Sequence, residues 1–321
     1  MSPTADVAEL RRKIFFQHAV ERAKLVQDEQ LRFVYYTTAE VAYRILKHKE
    51  IWMRNSTTMN DYMEVEHGLQ CLNQAHKSGK GQRFQAALDS CFPSLSQEVR
   101  DLFDAWVPGF RGGTFMTCVS EHPQHEDTKG RLSMWRAYGG RSGVAIVFDS
   151  EVMFMQTDSL AAYASPVAYF GPAEVADELD RVADAIEQNL KFLCSFGRES
   201  LKNTAFEMLR FAALCTKHPG FSEEREWRVL ASPALQASPL LGEHIELVRG
   251  VPQTVLKIRL QDSPDDGVVG LELPTLIKRI IIGPCDFPHV VARALGTLLD
   301  DAGVADHMDK VVVSNILLRH S

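Results

Sequence analysis

Phe221-Ser222-Glu223-Glu224-Arg225-Glu226-Trp227-Arg228-Val229-Leu230 is the stretch on which the fold turns. Upstream of it, from Pro172 to about Phe196 and from Glu199 to Cys215, the pattern is long-helical: Val175, Leu179, Val182, Ile186, Leu190 and Leu193 form one apolar stripe. After His218-Pro219-Gly220 the period changes. Arg225 to Leu230, His244 to Val248, Thr254 to Leu260 and Lys278 to Gly283 read as strands. A helix over about His289 to Ala302 leads into a last strand at Lys310 to Leu318. Within the deciding stretch side chains alternate, which puts Arg225, Trp227 and Val229 on one face and Glu224, Glu226 and Arg228 on the other. Two carboxylates beside a guanidinium make either an exposed ion-pair ladder or a cleft-facing pair whose pKa values split to supply acid and base.

Working outward, Asp6 to about Gln30 has helical apolar spacing, and Phe33 to Thr37 is an aromatic, β-branched strand entering a helix at Ala39 to Lys47. Ile51 to Arg54 is a second short strand, and Asn55 to Asp61 a loop rich in residues that bond their own backbone. Glu64 to Gln74, Gly81 to Phe92 and Glu98 to Trp106 are helical, with a break at Pro93. Thr114 to Ser120 is a strand, Glu121 to Gly130 a charged loop, and Leu132 to Tyr138 a short helix. Gly139 to Gly143 then turns the chain into the strand Val144 to Phe148. With no repeat, low-complexity tract or linker, the expectation is a single mixed domain over 1–321, with helical insertions at about 64–110 and 172–218. Its fold class is α/β (α+β), built on a split, largely antiparallel sheet.

The 321 residues carry 35 Lys and Arg against 42 Asp and Glu, a formal charge of -7, so the molecule as a whole repels nucleic acid and anionic membranes. No apolar run reaches the ~18 residues that span a bilayer. Met1 to Val7 lacks a basic segment followed by an apolar one, so the reading is a cytoplasmic protein without a membrane partner. Cys71, Cys91, Cys118, Cys194, Cys215 and Cys285 are scattered and include no C-x-x-C pair, which predicts free thiols, mostly buried.

Three further clusters could carry chemistry. Asn60 and Asp61 with Glu64 one turn on suit a helix cap, and Met59, Tyr62 and Met63 between them suit a loop docked on the core with Arg54 or Arg228 as partners. Asn60, Asp61, Glu64 and Arg228 are therefore read as structural support for a site. Trp135 and Tyr138 are i,i+3 neighbours, core packing or a wall for a flat ring. His122, His125, Glu121, Glu126 and Asp127 offer metal-compatible atoms without a second ligand pair at metal-site spacing, so no metal is expected.

The chain resembles the bacterial family catalogued as domain of unknown function 2971. The resemblance rests on Tyr35 to Thr38, Met59 to Glu64, Thr117 to Ser120, Met134 to Gly139, Gly143 to Asp149, Phe221 to Arg228 and Ile280 to Pro284. A second resemblance is to ADP-ribosyltransferases, through Tyr35 or Tyr36 on an early strand, Ser120 on a middle one and Glu226 on a late one. It implies an ADP-ribosyltransferase-like fold and an enzyme that takes NAD as substrate and cleaves its nicotinamide–ribose bond. Glu226 is then the catalytic carboxylate and Glu224 its acceptor-activating partner. Tyr35, Tyr36, Arg54, Ser120, Trp135 and Tyr138 would bind the dinucleotide, with Arg54 replacing the basic residue that Tyr35-Tyr36 lacks. The alternatives are a metal-dependent nuclease or phosphodiesterase using Asp61, Glu64, Glu224 and Glu226, and a non-catalytic ligand-sensing or interaction module.

Overall fold

The computed structural model describes residues 3–59, 63–155 and 157–316. These residues fall into two compact units, one of 1–25, 56–114 and 165–222 and one of 26–55, 115–164 and 223–321.

The first unit is helical and takes in both segments expected as helical insertions. Its helices include Met63–Lys77, Gly79–Cys91, Leu95–Gly112, Pro172–Gln188, Leu190–Ser195 and Arg198–Leu214. The stripe read from the sequence is their core: Val175, Leu179, Val182 and Ile186 pack with Leu72 and Leu88. Gly68 permits the closest approach, because a Cβ there would lie well inside van der Waals contact distance of the Ala213 carbonyl oxygen. We expect Gly68→Ala to cost about 1 to 3 kcal/mol by forcing two helices apart. Urea denaturation checks this, and an alanine variant as stable as the parent would refute the close approach.

The second unit carries the sheet. The strands among the described residues are β1 (Arg32–Thr38), β2 (Glu50–Asn55), β3 (Phe115–His122), β4 (Ser142–Phe148), β5 (Tyr163–Pro166), β6 (Ala168–Tyr169), β7 (Thr216–Lys217), β8 (Glu226–Ala231), β9 (Leu241–Val248), β10 (Val251–Arg259), β11 (Ile277–Cys285) and β12 (Val311–Val313). The sheet runs β12-β11-β4-β1-β3-β2-β10-β9, with β8 also hydrogen-bonded to β3. It is a mixed α/β architecture with a mostly antiparallel open sheet, and β11–β12 is its parallel pair along this path. Arg249 and Gly250, at φ 52° and 80°, make the tight turn between β9 and β10, as a two-residue hairpin loop requires.

The register shows where the sheet divides. β3 pairs β8 from Phe115 to Ser120 along one edge. Along the other edge β1 pairs its end, through Val34–Ser120 to Arg32–His122, and β2 pairs its beginning, at Phe115 and Met116. Thr117 to Val119 therefore lie in a fork between β1 and β2.

Both faces near the fork are packed. On one, Val34, Tyr36, Ala145, Val147 and Ile281 meet Met134 and Trp135 of the helix Leu132–Tyr138. On the other, the Phe33 ring stands 5.2 Å from Trp227, and Trp227 stands 5.7 Å from Phe154.

Candidate functional site

β3 and β8 position the central residues. Their register sets Ser120 opposite Glu226 and Cys118 opposite Arg228, while Val34 lies opposite Ser120 across the other edge. Directly opposed residues share a face, so Val34, Ser120 and Glu226 form a row across three strands. Arg54, opposite Met116, stands on this same face by alternation.

Glu226 and Arg228 form an interior ion pair, so the stretch is not an exposed ion-pair ladder. Arg228 is 0% and Glu226 7% exposed, and Arg228 Nε donates to Glu226 Oε1 at 2.8 Å. Charges withdrawn this far from water are tolerated only when paired and hydrogen-bonded.

Glu224 departs from the expected alternation. Pro219–Glu224 is a 3-10 turn, Arg225 takes left-handed backbone at φ 47°, and the strand starts only at Glu226. Arg225 is thus outside the strand, and Glu224 does not share the strand face of Glu226 and Arg228. Its carboxylate instead accepts from the Tyr138 hydroxyl at 3.1 Å.

Arg131 builds this arrangement, and the sequence reading missed it. Its guanidinium donates to the carbonyls of Glu121 at 2.8 Å, Glu223 at 2.9 Å and Glu224 at 3.1 Å, and it grips the Glu126 carboxylate at 3.1 and 3.0 Å. Its backbone N–H donates to the Tyr36 hydroxyl at 2.8 Å. One side chain thereby ties the charged loop to the turn that presents Glu224. The available signal was its place between Gly130 and the start of a short helix, a boundary where carbonyls and loop ends converge.

The aromatic residues divide between core and site. Tyr36 lies on the Ser120 face, but its ring meets Trp135 edge-on at 4.9 Å, and burial pushes its hydroxyl up to about 12. Tyr35 alternates to the opposite face, where burial raises its pKa. Trp135 is 2% exposed and its indole N–H donates to the Lys129 carbonyl at 2.7 Å. The open stacking wall expected of Trp135 is therefore corrected to core packing; Tyr138, half-buried, is the aromatic of this helix that reaches the polar residues. Arg54 is half-buried, donates to Gln253 Oε1 at 3.2 Å, and has its pKa lowered by burial and by the nearby Arg249 guanidinium.

The expected supporting residues Asn60 and Asp61 lie outside the described residues, as does the side chain of Glu64, whose backbone falls in the helix Met63–Lys77. Among the described residues no group of three or more His, Cys, Asp and Glu is placed to hold a metal ion. Glu121 accepts the Trp227 indole N–H at 2.9 Å, and Asp127 pairs with His122 and Arg32. Two cavities of about 370 and 490 Å³ open over Glu50 and Lys257, and neither is lined by Ser120 or Glu226.

His122 adds a pH dependence. It is fully buried, with Nε2 2.9 Å from Asp127 Oδ1 and Nδ1 3.8 Å from Glu126 Oε2, and burial holds its pKa below the ordinary 6.5 against the pull of Asp127. A histidine whose folded pKa is depressed contributes stability that is present above the unfolded value. That stability is lost as the pH falls from there through the folded pKa, because the unfolded chain takes up the proton first. We expect wild-type unfolding free energy to drop below pH 6.5, and His122→Gln to flatten that part of the curve. Parallel curves for the two proteins would exclude His122 as the source.

A buried Glu226–Arg228 ion pair on a forked antiparallel sheet is the centre of the candidate site in this mixed α/β protein. Residues 134–229 match the family described as a protein of unknown function (DUF2971). That span runs from the helix of Trp135 and Tyr138 into β8, and so includes Glu224, Glu226 and Arg228. No curated protein and no solved structure matches the chain. Among the described residues no helix is long and apolar enough to cross a membrane.

Proposed function

We propose that the face bearing Ser120 and Glu226 is an NAD-cleaving site and that the protein is an ADP-ribosyltransferase-like enzyme. The observation that carries this reading is the direct opposition of Ser120 and Glu226 on adjacent strands, in a row that continues to β1. When the nicotinamide–ribose bond breaks, its electron pair leaves with nicotinamide and positive charge develops on the sugar. A carboxylate fixed in advance stabilises that charge without reorganising. Arg228 fixes Glu226 by the 2.8 Å bond, Ser120 supplies a neighbouring hydroxyl, and Arg54 offers a guanidinium to the dinucleotide phosphates. Tyr138 and Glu224, hydrogen-bonded at 3.1 Å, then serve the departing ring and the activation of an acceptor hydroxyl or amine.

The test is chromatographic measurement of nicotinamide released from NAD by the full chain, beside Glu226→Gln and Ser120→Ala. Release by the parent that falls at least about 100-fold in Glu226→Gln supports the reading. Equal release by parent and Glu226→Gln, or neither binding nor release, removes it. NAD binding without release would assign the site to a ligand-sensing module.

A further inference from the structure

The helical unit contains a thiol pair that the proposed site does not use. Cys91 closes the helix Gly79–Cys91, and Cys194 lies in the helix Leu190–Ser195. Both sulfurs are free. Cys194 Sγ donates to the Cys91 carbonyl oxygen at 3.4 Å, which seats the Cys194 sulfur directly against the residue that carries the other thiol. Cys91 is buried in the helical core, whereas Cys194 is half-buried at its margin. Two cysteines in direct contact on separate helices need little chain movement to join, which a lone buried cysteine cannot offer.

We propose that Cys91 and Cys194 are a peroxide-oxidisable dithiol that closes to a disulfide and locks these two helices together. Cys194, the more accessible sulfur, attacks one oxygen of a hydroperoxide as its thiolate. The O–O bond breaks, the sulfur is oxidised to sulfenic acid, and the peroxide is reduced, its other oxygen leaving as water or alcohol with the Cys194 proton. Cys91 sulfur then attacks the Cys194 sulfur. The S–O bond breaks, and hydroxide departs as a second water with the Cys91 proton. Burial and the adjoining Cys194 push the Cys91 thiol up to about 12, so Cys91 is not the sulfur that attacks the peroxide first. The reverse step needs a thiol reductant.

The bridge closes a loop of about 100 residues, so the oxidised chain should melt about 5 to 10 °C above the reduced one. The experiment treats the full wild-type chain with a small excess of hydrogen peroxide, alkylates the remaining thiols, and maps tryptic peptides by mass spectrometry. The expected result is one cross-linked pair containing Cys91 and Cys194, cleaved by dithiothreitol, with the higher melting midpoint in the oxidised sample. In Cys91→Ser, Cys194 should accumulate as a dimedone-trapped sulfenic acid. Peroxide treatment that leaves both residues alkylatable, or that links either of them to another cysteine, overturns the proposal. The wild-type map alone decides if the serine variant does not fold.

Discussion

Replacing Glu226 by alanine is expected to lower the unfolding free energy by about 3 to 5 kcal/mol and to abolish nicotinamide release. The stability loss follows from Arg228, whose guanidinium is 0% exposed and donates to Glu226 Oε1 at 2.8 Å. Taking a carboxylate away from a buried guanidinium removes compensation for a desolvation penalty that the fold still bears. Glu226→Gln keeps an acceptor oxygen of the same reach, so we expect a smaller loss, about 1 to 3 kcal/mol, with the same loss of turnover. Equilibrium denaturation and turnover measured on the same samples separate the two contributions. An alanine variant with parental stability would contradict the buried pair, and a glutamine variant with parental turnover would contradict the chemical role.

Trp135→Ala should cost about 3 to 5 kcal/mol, the range for removing a large aromatic from a packed core. The indole is 2% exposed, lies edge-on to Tyr36 at 4.9 Å, and gives its N–H to the Lys129 carbonyl at 2.7 Å. The chain has adapted to it with small neighbours: a Cβ placed on Gly283 would stand 2.6 Å from the ring. A tryptophan held for stacking on a ligand would instead lose binding with little loss of stability. Thermal denaturation of Trp135→Ala distinguishes these outcomes, and a midpoint close to that of the parent would return Trp135 to the wall of a ligand site.

Much of the architecture was legible because local signals agreed with one another. The Phe33 to Thr37 strand, the helix after Thr38 and the Leu132 to Tyr138 helix needed only alternation, a capping hydroxyl and a glycine-rich stop. Glu226 and Arg228 were also correctly placed on one face, since strand alternation survives any tertiary context that leaves the strand regular. Glu224 was misplaced because alternation was carried through Arg225, whose left-handed φ of 47° resets the direction of the chain. A positive φ at a non-glycine residue leaves no mark in the sequence.

The sequence by itself determined the order and type of most of the elements, the apolar stripe of the helical unit, and the placing of Glu226 and Arg228 on one strand face. These depend on spacing along the chain, which sequence records directly. Only the tertiary structure decided that this ion pair is interior, that Ser120 stands opposite Glu226, that Tyr138 meets Glu224 and that Trp135 is core. Each of those joins residues remote in sequence, and register, burial and the reach of an arginine such as Arg131 arise from packing whole elements together. An isolated segment of sequence carries no information about which partner strand or carbonyl it will meet.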